Sequence, residues 1–155
     1  MLINNEDVSS QCNRPGTFVV LVHSLINSNQ MEVTPKKNEQ VANMIFANIY
    51  PLYWDRLKKK GRTKEEFHQV LEWFTGYDEA ALQKLIEEKV TFENFFQGAK
   101  IHPNAHMIKG VVCGYRIEEI SDEFEIYKQC RQMEKLIDEL AKGRKMEKIL
   151  REEKK

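Results

Sequence analysis

The sequence predicts an all-α protein: an orthogonal bundle of about six short helices with little or no β structure, carrying an appended N-terminal segment. Three observations predict this. Beyond residue 38, apolar side chains recur at the three- and four-residue spacing that puts them on one face of a helix. Helix-starting residues, glycines and prolines interrupt that pattern at short intervals. Fourteen of the fifteen aromatic residues, all but Phe18, lie after residue 40, so the material for a core is concentrated there. Short helices joined at Pro and Gly cannot all run antiparallel, so crossed packing is expected in place of an up-and-down bundle.

Each element follows from its own signals. Asn38 can cap a helix carrying Val41, Met44, Ile45 and Ile49. That helix is expected to stop or kink at Tyr50, because the residue before a proline is pushed out of the α region. Pro51 then suits the first position of a second helix, with Leu52, Tyr53, Trp54 and Leu57, ending at Gly61. Thr63 and Glu66 have capping-box spacing, and Phe67, Val70, Leu71 and Phe74 follow at 0, 3, 4 and 7. Gly76 ends that helix. Asp78 caps another, with Leu82, Leu85 and Ile86, and Thr91 caps a short one, with Phe92, Phe95 and Phe96, before Gly98.

The stretch 100–104, with Pro103, reads as a loop. Over 108–120 two periods compete, alternation at Val111, Cys113, Tyr115 and Ile117 and helical spacing at Ile108, Val111, Val112 and Tyr115. A strand without partners would leave its backbone groups unpaired, so helix or irregular structure is the expectation there. After Ser121 a longer helix runs to about Ala141, with Ile126, Cys130, Met133, Ile137 and Leu140 along one face. Gly143 closes it, and a last turn presents Met146, Ile149 and Leu150.

Composition separates the two ends. Four of the five serines lie in the first 28 residues, with many asparagines. Residues 1–37 are therefore read as an N-terminal extension and a candidate disordered segment, and 38–155 as a single helical domain. The β-branched run at 17–22 is the extension's one strand candidate, and Met31 is a candidate natural start. The 155-residue chain carries 24 basic and 24 acidic side chains, and its 41% hydrophobic content fits a folded, non-fibrous protein. The continuous apolar run at 18–22 is far shorter than the roughly 20 residues of a membrane span. The first 13 residues hold Glu6 and Asp7 and no basic residue, unlike a secretory signal. Three cysteines without CxxC spacing fit reduced thiols. A cytoplasmic protein without a membrane partner is expected.

Several strings resemble one bacterial family: FANIYPLY at 46–53, KKGRTKEE at 59–66, WFTGY at 73–77, TFENFF at 91–96, GVVCGYRIEEI at 110–120 and KLIDELAKGRKMEKIL at 135–150. Together, in this order over about 41–150, they are similar to the domain of unknown function numbered 2200. The resemblance implies a mainly helical orthogonal bundle and no particular activity. The first 40 or so residues lie outside it, and Ser121-Asp122-Glu123 departs from an expected Asp-Pro.

No catalytic constellation is complete. Cys113, flanked by Gly110 and Gly114 with Arg116 three residues on, is a candidate thiolate nucleophile lowered by a guanidinium. No histidine partner is predictable, and a small buried cysteine is the simpler expectation. His102 and His106 are four apart, as zinc ligands on a helix would be, but Pro103 between them favours a loop, and four-coordinate sites need more ligands. No cofactor is expected. Arg56, Lys58, Lys59, Lys60, Arg62 and Lys64 place six basic residues in nine positions, next to Tyr53 and Trp54. Such a cluster can hold nucleic acid through phosphate contacts and base stacking, or can simply be a solvated helix face. Residues 142–155 add seven basic residues against three acidic, whereas 65–97 carry eight acids and two bases. The acidic cluster Glu118, Glu119, Asp122, Glu123 and Glu125 points in several directions and reads as solvated. The leading expectation is a non-enzymatic helical binding module that contacts a protein or nucleic-acid partner. The alternatives are a nucleic-acid-binding protein using 56–64 and a small thiol enzyme using Cys113.

Overall fold

The structure, a computed structural model, describes residues 32–151. It is all-α apart from one small hairpin, as the sequence predicts. Seven α-helices occur among the described residues: α1 (Pro35–Ala42), α2 (Phe46–Lys59), α3 (Lys64–Thr75), α4 (Glu79–Glu87), α5 (Phe92–Gln97), α6 (Glu125–Ala141) and α7 (Met146–Ile149). Strands β1 (Val111–Val112) and β2 (Tyr115–Arg116) lie between α5 and α6, preceded by a 3-10 turn at Pro103–Met107 and followed by two more. The strand candidate at 17–22 and the candidate start at Met31 lie outside the described residues.

Local capping chemistry sets most helix starts. Thr63 accepts from the Glu66 amide while Glu66 reaches back to the Thr63 amide, a complete capping box. Asp78 accepts from the Ala81 amide and Thr91 from the Asn94 amide. Gly76 closes α3 at φ +77, a conformation glycine adopts without a Cβ penalty.

Three expectations are corrected. Asn38 does not start a helix: Thr34 does, accepting from the Lys37 amide, with Pro35 in the first turn. Asn38 caps elsewhere, its Oδ1 accepting from the Tyr127 amide at 3.0 Å in the first turn of α6, whose own N-cap Phe124 supplies no side-chain cap. Pro51 does not split the chain. It lies inside the continuous α2, although an interior proline costs about 3 kcal/mol in an isolated helix. Packing on both sides overrides that cost. Phe46 and Leu57 are fully buried, Tyr50 stacks on Phe67 at 5.1 Å, and the first α2 amide bonds Val90 O at 3.0 Å.

The third correction concerns 108–120. Val111 pairs with Arg116 and Val112 with Tyr115 in an antiparallel hairpin. Its two-residue turn, Cys113-Gly114, has φ +52 and +84, the left-handed backbone of a primed hairpin turn. The strand pairs with itself, which removes the unpaired-backbone objection. Val112 and Tyr115, opposite each other, are buried while Val111 and Arg116 face outward, so neither simple period describes the segment.

Helix α6 organises the rest. It packs against α1, α2, α3, α5, α7 and β1, and buries Cys130, Met133, Leu136, Ile137 and Leu140. Around it sits a phenylalanine core. Phe46 stacks on Phe95 at 4.2 Å and Phe92 on Phe96 at 5.7 Å, with edge-to-face contacts between the pairs. No helix of the described residues is long and apolar enough to cross a membrane.

Candidate functional site

The basic cluster sits at the C-terminal end of α2 and the turn into α3, and its members divide into two kinds. Arg56 is paired with Asp138 on α6, which also holds Lys142 at 2.8 Å. Those partners keep the Asp138 carboxyl below its ordinary pKa, although burial works in the opposite direction. Arg62 is committed through all three guanidinium nitrogens: Nε donates to Leu140 O at 2.8 Å, Nη1 to Glu66 at 2.9 Å and Nη2 to Arg144 O at 3.2 Å. Lys58, Lys59, Lys60 and Lys64 are exposed and have no carboxylate within salt-bridge reach among the described residues.

The Arg62 bonds bring a second basic run to the same end of the molecule. Residues 142–145 turn directly beside Arg62, and there Arg144 pairs with Glu139 while Lys145 remains exposed without a carboxylate among the described residues. Two runs some 80 positions apart in sequence thus form one lysine-rich end. Tyr53 and Trp54 do not project from it. The Tyr53 hydroxyl bonds Glu134 at 3.4 Å, its pKa pushed up by burial and then by Cys130 and Glu134, and the Trp54 ring lies parallel to Phe67.

Cys113 occupies the left-handed turn of the hairpin, half-buried beside the core. Arg116 faces outward on β2, with its guanidinium 3.6 Å from Glu118 and 3.9 Å from Glu119. Glu118 in turn accepts the Gly110 amide at 2.9 Å, and that bond, with Arg116 beside it, lowers its pKa. Tyr115 and Arg116 border a cleft of about 270 Å³ closed by Glu32, Val33, Ile120 and Phe124.

His106 lies in the 3-10 turn over α6 and His102 caps that turn, both beside a cavity of about 470 Å³. His102 stacks on Trp73 at 4.2 Å and its Nδ1 accepts the Asn104 amide at 3.0 Å. His106 Nδ1 is 2.8 Å from Pro103 O. Among the described residues, no three His, Cys, Asp or Glu side chains are grouped to hold a metal ion.

Sequence reasoning missed three polar arrangements, each with at least one contact across 12 or more positions. Tyr50 and His68 share a hydrogen bond of 2.6 Å between α2 and α3, with Glu79 3.9 Å from the other ring nitrogen. Burial lowers the His68 pKa, opposed by Glu79. Arg131 lies over the rings of Tyr115 and Tyr127, at 5.2 and 4.8 Å, and bonds the Tyr127 hydroxyl and Glu134. The third is Glu139, buried on α6 and held by Arg151 at 2.7 and 3.0 Å as well as by Arg144. Two of them carried local hints: Arg131 stands four residues after Tyr127 and three before Glu134, and Arg144 five after Glu139.

A family model described as "Uncharacterized protein conserved in bacteria (DUF2200)" matches residues 40–151. No curated protein matches the chain. Among solved structures, the chain is similar to the crystal structure of uncharacterized protein SP1917, with 34% identity and a TM-score of 0.68, over 75% of this chain and 97% of that one.

Proposed function

We propose, from the premise that the chain belongs to the DUF2200 family of uncharacterised bacterial proteins, that it is a non-enzymatic cytoplasmic binding module whose contact surface is the lysine-rich end. Its partner on this reading is nucleic acid. The observation that carries it is the Arg62 anchor, which sets the lysines of 58–64 beside the turn at 142–145. Lysines held together without carboxylate partners form a local positive field, which attracts phosphates even on a chain of zero net charge. Titrating labelled DNA or RNA with the protein at low ionic strength tests this. Binding that weakens steeply with added salt is expected, as is further weakening when Lys58, Lys59 and Lys60 become Gln. Absence of any salt-sensitive binding removes the reading.

A second reading keeps Cys113 as a nucleophile. It is supported by the left-handed backbone of a non-glycine residue, which costs energy and is found at functional turns. Rapid alkylation of Cys113 by iodoacetamide near neutral pH in the folded protein is the expected outcome. Protection until denaturation discards it.

A further inference from the structure

We infer that the lysine-rich end recognises the phosphate backbone of a double helix, and that it neither stacks on nor reads bases; this rests on the nucleic-acid reading above and narrows its ligand. Proteins that hold single strands rely on aromatic side chains on which bases stack, worth about 1–3 kcal/mol per base. Among the described residues, no Phe, Tyr or Trp is exposed. The two aromatics nearest the cluster are turned into the fold, Tyr53 onto Glu134 and Trp54 along Phe67.

The cations point the same way. The planar fork of arginine, which bonds two acceptors at once, is better suited to base edges than lysine, a flexible point charge suited to phosphates. Arg62 is consumed internally by two main-chain carbonyls and Glu66, and Arg56, its side chain 49% exposed, holds Asp138 through one terminal nitrogen. Lys58, Lys59, Lys60, Lys64 and Lys145 remain for the ligand. A set of point charges without a stacking platform gains most where phosphates are densest, and a duplex carries one charge per about 1.7 Å of axis. Contact through phosphates alone is indifferent to sequence.

The test measures the fluorescence anisotropy of five labelled probes at one low salt concentration: two DNA duplexes of unrelated sequence, an RNA duplex, one DNA strand alone, and polyglutamate. At least one kind of duplex is expected to bind several-fold more tightly than the single strand, with the two DNA sequences equal and polyglutamate weaker. Lys59→Gln with Lys60→Gln is expected to lower duplex affinity and flatten the salt slope by about one unit per lysine. Lys84→Gln, in the acidic stretch, serves as the unchanged control, and circular dichroism confirms that each variant is folded. Preference for the single strand, or a several-fold difference between the two DNA sequences, overturns the inference while leaving nucleic-acid binding intact. Tighter binding of polyglutamate overturns both in favour of an acidic protein partner. Binding of no probe removes the underlying reading itself.

Discussion

Arg62 donates through Nε to the main-chain carbonyl of Leu140 at 2.8 Å, across 78 positions of sequence. Leu140 O already accepts the Gly143 amide at 3.1 Å, so this guanidinium adds a second, charged donor at the end of α6 while its other nitrogens hold Glu66 and Arg144 O. A fold anchor therefore sits within the basic cluster. The contact is only about one-fifth exposed, with the Arg62 side chain at 21%.

Replacing Arg62 tests that anchoring role. Arg62→Ala is expected to lower stability by about 1–3 kcal/mol through loss of charge-assisted hydrogen bonds. Arg62→Lys is expected to recover little, because an ammonium cannot reproduce a three-nitrogen fork. Urea unfolding measures both, and a lysine variant as stable as the parent contradicts the assignment.

Glu139 and Arg151 form a pair with side chains only 6% and 11% exposed. Removing one partner leaves a buried charge unanswered, so Glu139→Ala is expected to cost about 3 kcal/mol or more. Arg151→Ala is expected to cost less, because Arg144 still pairs with Glu139, and the double variant less than the sum. Additive losses in a double-mutant cycle argue against the pair.

The Asn38 cap has a local readout. Asn38→Ala is expected to cost about 1 kcal/mol and to speed hydrogen exchange at the Tyr127 amide, while amides in the middle of α6 keep their protection. Unchanged exchange at Tyr127 contradicts the cap.

Stability should also fall on mild acidification through His68. Its folded pKa lies below the ordinary 6.5, first because of burial, so the unfolded chain binds the proton more readily. Stability from this site is then complete above about pH 6.5 and is lost as pH falls through the folded value. Glu66 and Asp138, whose pKa values are also lowered, act in the more acidic carboxylate range. Urea midpoints compared between neutral pH and about pH 5 for the parent and His68→Gln should show a smaller decline in the variant. An equal decline in both assigns the effect elsewhere.

How much was legible depends on how far each interaction reaches. Thr63 with Glu66, Asp78 with Ala81, Thr91 with Asn94 and the turn at Gly76 were readable because each is completed within about one helical turn. The phenylalanines of α3 and α5 were readable as core because periodicity alone groups them on a face. The candidate site was legible only as composition: the 56–64 run was visible, but which cations are spent on the fold and which face solvent was not. Pro51 and Asn38 turned on partners distant in sequence, and the hairpin on a left-handed turn at Cys113-Gly114 that neither simple period describes. Local rules placed a break, a cap and an unpaired segment where the packed chain has a continuous helix, a cap for α6 and a self-paired ribbon.

The sequence by itself determined an all-α protein, most of its helix starts and the apolar faces that make its core, since neighbouring residues settle those choices through backbone geometry and side-chain period. Only the tertiary structure decided that Arg62 would be spent on Leu140, that Tyr50 would meet His68, and that two basic runs would share one end. Such contacts depend on which helix surfaces come to lie against each other, and burial of the whole core outweighs the preference of any single residue.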